Sequence, residues 1–81
     1  MHNIEIDRKD PKLYETSDLA IAAYLMLHNF KLTDAGKLPT GKFRFVFEDP
    51  NNQARARAVE FLSSDFCKFD GHVKNLKKLL Y

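Results

Sequence analysis

The stretch from Gly36 to Phe43, GKLPTGKF, matches all but the last position of a phosphate-binding loop, G-x-x-x-x-G-K-[ST]. In such a loop, successive backbone N–H groups wrap the phosphates in front of a helix, and the final hydroxyl group holds Mg²⁺. Phe43 has no hydroxyl group, and the residues after Lys42 alternate as those of a strand do. The sequence therefore predicts a hairpin loop here and no nucleotide cofactor.

A second set of reactive residue types surrounds Cys67. His72, Asp65 and Asp70 are close to this thiol in sequence, and a nucleophile, a base and an orienting acid are the components of covalent catalysis. Such spacing is common by chance, and a free cysteine is more often a small, half-buried apolar residue. We therefore expect no catalytic residue and no enzyme activity.

The three histidines, His2, His28 and His72, do not have the spacing of metal ligands. A single cysteine cannot complete a zinc site with them. We expect no bound metal and no other cofactor.

The C-terminal part of the chain is mildly basic, because residues 50–81 contain six basic and three acidic residues. A basic protein face can bind phosphates or an acidic protein, although it is more often only solvated. If the last two helices pack side by side, they present a possible binding face that consists of Arg55, Arg57, Lys74, Lys77 and Lys78.

Hydrophobic periodicity predicts the element order β-α-β-β-α-α. This order indicates an α+β fold, a small two-layer domain in which helices cover one face of an antiparallel sheet. Eighty-one residues suffice for one domain. We assign residues 13–81 to this domain and residues 1–12 to an N-terminal arm or edge strand.

Capping residues and turn signals locate the three helices. The first covers about residues 18–28, and Asn29 is suited to end it. Asp49 is predicted to cap the second, with Pro50 in its first position, and Asp70 to cap the third.

The strand KFRFVFE places Phe43, Phe45 and Phe47 on one face. FRFVF partly resembles the aromatic strand of an RNA-recognition motif, but a one-sided sheet buries its more apolar face. We therefore expect these rings to point inward, and Phe45→Ala to unfold or severely destabilise the protein. The helices are expected to contribute Leu19, Ala23, Leu25, Phe61, Leu62, Leu76 and Leu79 to the same core.

The first helix, LAIAAYLML, has no charged residue on any face. A helix of this kind must be covered on more than one side, either by the rest of its own chain or by another subunit. The second alternative predicts a homodimer. The possible self-association residues are Leu19, Ala20, Ala23, Tyr24 and Leu27.

Composition restricts the class of protein further. The lone cysteine and the polar N-terminus, MHNIEIDRKD, predict a cytoplasmic protein without a signal peptide. The apolar run of the first helix is too short to cross a membrane.

The sequence features together leave two functions open. One is a non-catalytic protein-interaction module with an unknown protein partner, and the other is a weak nucleic-acid-binding protein that uses the basic face.

Three segments also carry a resemblance that extends from Tyr14 to Tyr81: YETSDLAIAAYL, the strand end FVFEDP and the terminus NLKKLLY. With this layout the chain resembles a family of small, uncharacterised bacterial and phage proteins. The resemblance implies no activity, cofactor or catalytic residue. It is consistent with a phage-type accessory protein that binds another protein.

Overall fold

The computed structural model describes residues 12–81, so the predicted N-terminal arm lies outside the described residues except for Lys12. Three strands and three helices follow one another in the order β-α-β-β-α-α, which confirms the predicted α+β fold. The elements are β1 (Leu13–Thr16), α1 (Leu19–Leu27), β2 (Leu32–Lys37), β3 (Phe43–Glu48), α2 (Ala54–Phe61) and α3 (Asp65–Leu80).

The strands form one antiparallel sheet in the order β1-β3-β2. Phe47 on the central strand pairs with Tyr14 on one side and with Leu32 on the other, so the three side chains form a row. Phe47 is fully buried and Phe45 is half-buried, whereas Phe43, at the start of the strand, is 43% exposed. The inward orientation of the phenylalanine face is confirmed for Phe45 and Phe47.

The opposite face of the sheet is held together by charged side chains. The guanidinium group of Arg44 donates to Glu15 on β1 at 2.9 Å and to Asp34 on β2 at 3.0 Å. Val46, two residues further along the central strand, is 5% exposed. Arg44 therefore links all three strands on the face of the sheet opposite to Phe47.

The loop that resembles a phosphate-binding loop connects β2 to β3 as a hairpin. The Leu38 N–H donates to the Lys42 carbonyl at 2.7 Å, and the Gly41 N–H donates to the Leu38 carbonyl at 2.8 Å. Gly41 has a φ of 93°, which a glycine adopts without steric cost. These N–H groups are used within the hairpin, and no helix follows the loop directly, so the hairpin prediction is confirmed.

Helix α1 has a defined cap at each end. The Asp18 carboxylate accepts a hydrogen bond from the Ile21 N–H at 3.0 Å, which satisfies one of the free donors of the first turn. Asn29 has a φ of 69°, and the Phe30 N–H then donates back to the Leu25 carbonyl at 3.0 Å. This is the Schellman arrangement, and it fixes the direction in which the chain leaves the helix.

Helix α2 begins later than predicted. The Asp49 carboxylate does cap it, although Asp49 precedes the first helical residue by five positions. Its Oδ1 accepts hydrogen bonds from the Gln53 N–H at 2.7 Å and from the Ala54 N–H at 3.1 Å. A turn that includes Asn52, with a φ of 56°, separates Asp49 from the helix. Pro50 therefore lies in this turn and not in the first position of the helix.

Helix α3 begins earlier than predicted, at Asp65 and not after Asp70. The Ser64 hydroxyl accepts from the Cys67 N–H at 3.2 Å, and the Asp65 carboxylate stands at the positive end of the helix dipole. These two signals start the helix about one and a half turns before the predicted cap, Asp70. Within residues 12–81, no helix is long and apolar enough to cross a membrane.

The core lies between the sheet and the first two helices. Its buried cluster comprises Ala22 and Leu25 of α1, Ala54 of α2 and Phe47 of β3. Helix α3 contributes no buried residue, because α1 and α2 already cover the inner face of a sheet with only three strands. Leu25 and Phe61 are buried as predicted. The other predicted core residues of the helices are exposed: Leu19, Ala23, Leu62, Leu76 and Leu79.

Candidate functional site

An apolar groove separates α1 from α3. It has a volume of about 270 Å³ and is bordered by α1, by the end of α2 and by the first turns of α3. Asp70 is the single charged residue among those that line it. Most of the lining is apolar: Ala20, Ala23, Leu27, Phe61, Phe66 and Phe69.

A wider gap, of about 580 Å³, lies between the N-terminal end of α1 and the middle of α3. The half-exposed ring of Phe43 forms part of its wall, and Leu19 and Val73 face it from the two helices. Lys74 and Lys77 lie at its border. Helix α3 therefore does not close over α1 or over the end of the sheet, and both helices keep apolar surface exposed.

We call the exposed apolar side chains of α1 and α3 the apolar helical surface. On α1, Leu19 and Leu27 are more than half exposed, and Met26 lies on the same side of the helix. On α3 the exposure is larger still, reaching 70% for Phe69 and 80% for Leu79. The surface consists of Leu19, Ala23, Met26, Leu27, Phe66, Phe69, Leu76, Leu79 and Leu80.

The predicted self-association residues divide into two groups. Leu19, Ala23 and Leu27 are exposed and Ala20 is half-buried at the groove, so these four are available to a partner. Tyr24 is not available, because only 6% of it is exposed.

The contribution of α3 to this surface was not predicted. The signal was present in the sequence, because Phe66, Phe69, Val73, Leu76 and Leu80 follow one another at alternating intervals of three and four residues. The prediction that Asp70 caps the third helix placed the first two of these residues before the helix and concealed the pattern.

Tyr24 links the three helices. Its ring packs against Phe61 of α2 and Phe66 of α3, with centroid distances of 5.4 and 5.7 Å. Its hydroxyl group donates a hydrogen bond to Glu60, whose other carboxylate oxygen accepts from Arg57 at 2.8 Å. The hydrogen bond and burial raise the pKa of Tyr24, and the bond from Tyr24, with the nearby Arg57 charge, holds the pKa of Glu60 below its ordinary value of 4.5.

We expect the hydrogen bond of Tyr24 to make stability depend on pH. Because folding lowers the pKa of Glu60, its ionised carboxylate stabilises the folded protein fully above the ordinary pKa of 4.5. This contribution is lost as the pH falls through the lower pKa that Glu60 has in the folded state. Tyr24→Phe should therefore reduce the unfolding midpoint in urea at pH 7, and the difference from the wild type should shrink towards pH 3.

Tyr14→Phe provides the control for this experiment, since Tyr14 packs against the same core from the sheet. The difference between its unfolding midpoint and that of the wild type should be the same at every pH. A difference between Tyr24→Phe and the wild type that is constant with pH would show that Glu60 is not the titrating group.

The structure places the predicted basic residues in different surroundings. Arg57 pairs with Glu60 near Tyr24, whose ring contacts His28 at the C-terminal end of α1. Lys74 pairs with Asp70 at 3.0 Å, which raises the pKa of the ammonium group.

Lys74 and Lys77 border the gap at Ser17 and Asp18, the N-terminal end of α1. The Arg57 and Lys74 charges thus lie towards opposite ends of α1, and carboxylates partly neutralise both. Arg55 belongs to α2 and Lys78 to the last turn of α3.

The residues considered for catalysis all lie on α3. Cys67 and His72 are five positions apart on this helix, which turns their side chains about 140° away from each other. The Asp70 carboxylate forms its ion pair with Lys74. Within residues 12–81, no three His, Cys, Asp or Glu side chains are grouped as metal ligands would be.

Comparisons with known proteins identify no relative of this chain. No protein-family description matches it, and neither a curated protein nor a solved structure is significantly similar to it. The resemblance to small bacterial and phage proteins therefore stays a prediction.

Proposed function

We propose that this chain is a non-catalytic protein-interaction module that self-associates as a homodimer through the apolar helical surface. The observation that supports this proposal is the amount of apolar side chain that α1 and α3 leave in contact with water. Eight large apolar residues on these two helices are more than half exposed: Leu19, Met26, Leu27, Phe66, Phe69, Leu76, Leu79 and Leu80.

The size of this surface fits a protein interface. A large apolar side chain that is half exposed or more presents roughly 100 Å² to water, so the eight residues present on the order of 800 Å². Each partner in a stable complex buries about 800 Å², so the exposed apolar area of the two helices is comparable to one side of an interface. At about 25 cal/mol per Å², burial of such a surface is a strong driving force for association.

The shape of the surface also favours a partner. The groove between α1 and α3 is lined by small side chains on one helix and by phenylalanine rings on the other. Alanine residues allow a partner's side chains to approach the backbone of α1, and the rings of Phe66 and Phe69 offer large contact areas. Charged residues are few within the groove, as they are at the centre of most interfaces.

We expect Leu76→Lys to disrupt the homodimer without unfolding the chain. Leu76 is 59% exposed, so lysine is tolerated in the monomer, whereas the dimer would have to bury its charge twice. The dissociation constant should rise by at least about tenfold. Sedimentation equilibrium over a range of concentrations measures this change as a shift from the mass of two 9.4 kDa chains to the mass of one.

Leu13→Lys is the matched control. Leu13 is 54% exposed but belongs to β1, where the alternation of side chains places it on the face of the sheet opposite the helices. This variant should associate as the wild type does. A wild-type protein that stays monomeric at high micromolar concentration would contradict the proposed homodimer, and equal effects of the two substitutions would exclude the apolar helical surface as its interface.

A further inference from the structure

Helix α3 carries the sequence pattern of a helix that pairs with another helix. Phe66, Phe69, Val73, Leu76 and Leu80 succeed one another at intervals of three, four, three and four residues. Apolar residues at this spacing form a single stripe along a helix, and two such stripes pack by interdigitating their side chains. Within its own chain α3 buries none of these side chains.

Charged residues of opposite sign flank this stripe on the side that faces α1. Asp70 follows Phe69 and Lys77 follows Leu76, and both line the gap between α3 and α1. On the other side of the stripe the flanking residues are Asp65, His72 and Leu79. Charges at flanking positions determine which orientation two paired helices prefer.

A parallel pair of α3 helices would bring like charges together. In a parallel arrangement, a residue on one flank meets the opposite flank of the other helix, so Asp70 would lie beside Asp65 of the partner subunit. In an antiparallel arrangement, residues of the same flank meet. Asp70 can then lie beside Lys77 of the partner subunit, and symmetry forms this pair twice.

We propose that the occupant of the apolar helical surface is α3 of a second copy, packed antiparallel in the register that pairs Asp70 with Lys77 of the partner subunit. This inference rests on the proposed self-association and adds the arrangement of the two chains. In this register Val73 packs against Leu76 of the partner subunit, and Phe69 packs against Leu80 of the partner subunit. Each contact occurs twice, which gives four apolar layers around a twofold axis.

The same arrangement explains why α1 also remains exposed. The flank that carries Asp70 and Lys77 faces α1, so an antiparallel pair of α3 helices has both α1 helices on one side. The exposed face of each α1, with Leu19 and Leu27, is then adjacent to the twofold contact. The small residues Ala20 and Ala23 leave room there for side chains of the second copy.

A charge-exchange experiment tests the register. Asp70→Lys alone and Lys77→Asp alone each replace two attractive pairs by two repulsive ones, so each should raise the dimer dissociation constant about tenfold at low ionic strength. The double variant, Asp70→Lys with Lys77→Asp, restores both pairs between the subunits, so its dissociation constant should return close to that of the wild type. The ion pair between Asp70 and Lys74 of the same chain is lost in both Asp70 variants, so it does not account for the recovery. Asp65→Lys is the control. It removes a favourable charge at the start of α3, but Asp65 lies beyond the overlap of the two helices, so the dimer dissociation constant should not change.

The outcomes separate this inference from the proposed function. If the wild type dimerises and Asp70→Lys tightens the dimer, the helices are parallel, because the change removes the repulsion from Asp65 of the partner subunit. If the wild type dimerises and the charge changes have no effect, α3 does not pair in this register. Either result overturns the inference and leaves the homodimer intact, whereas a monomeric wild type overturns both.

A distance measurement provides a test that does not depend on charge. Spin labels on Asp65→Cys, in a Cys67→Ala background, should be about 28 Å apart along the helix axis in the antiparallel pair. In a parallel pair the same labels would lie about 10 Å apart, the spacing of neighbouring helices. The Asp65 side chain is almost fully exposed in the monomer, so the label does not disturb the fold.

Discussion

Phe47→Ala is expected to lower the free energy of unfolding by about 3–5 kcal/mol. Phe47 is fully buried on the central strand, between Tyr14 of β1 and Leu32 of β2, and it packs in one cluster with Leu25 of α1 and Ala54 of α2. Its removal leaves a cavity where the sheet meets both helices. Domains of this size are stable by only about 5–15 kcal/mol, so urea denaturation followed by circular dichroism should show a large loss.

The other two phenylalanines of β3 provide a graded control. Phe43 is 43% exposed, and we expect Phe43→Ala to cost less than about 2 kcal/mol. Phe45 is half-buried against the core cluster, and Phe45→Ala should have an intermediate effect. Equal losses for the three variants would contradict the structure, since they would mean that the three rings are buried to the same extent.

The different burial of the three phenylalanine rings shows what strand periodicity can and cannot predict. Alternation in KFRFVFE identifies the three phenylalanines as one face, and the comparison with the charged opposite face indicates that they point inward. Alternation does not show which ring lies at the centre, because this depends on the register with Tyr14 and Leu32, residues distant in sequence. Severe destabilisation was accordingly predicted for Phe45→Ala, one position along the face from the most deeply buried ring.

The helices show a second limit of what hydrophobic periodicity can predict. The spacing of Ala54, Ala58, Phe61 and Leu62 predicts a buried face of α2, and all of them except Leu62 are buried. The spacing of the apolar residues of α3 is at least as regular, yet Leu76 and Leu79 are exposed. Periodicity identifies an apolar face but does not say what covers it, and with three strands the sheet is too narrow for a third helix.

The apolar helical surface therefore arises from a mismatch between the number of apolar helix faces and the area of the sheet. Three helices carry apolar faces, whereas the inner face of the sheet is covered by α1 and α2. The charge-free sequence of α1 predicted that a second cover is needed, and α3 supplies it only in part, along the groove near Tyr24. A second chain would satisfy both helices at once.

Asp49→Ala is expected to lower the free energy of unfolding by about 2–3 kcal/mol. The Asp49 carboxylate is buried and accepts hydrogen bonds from two backbone N–H groups, those of Gln53 and Ala54. Ala54 is fully buried, so without the carboxylate its N–H group has no access to water as a replacement. The loss adds the cost of an unsatisfied donor to the ordinary cost of a missing helix cap, and urea denaturation measures the sum.

Asp18→Ala separates these two contributions. Asp18 caps α1 by accepting one hydrogen bond, from the Ile21 N–H at 3.0 Å, but at an exposed site where water can take over that bond. Its removal should cost about 1 kcal/mol, the ordinary value for a cap. Asp49→Asn keeps an acceptor oxygen at the buried site and should recover part of the loss. If Asp49→Ala is no more destabilising than Asp18→Ala, burial of the Ala54 N–H does not contribute, and Asp49 acts only as a cap.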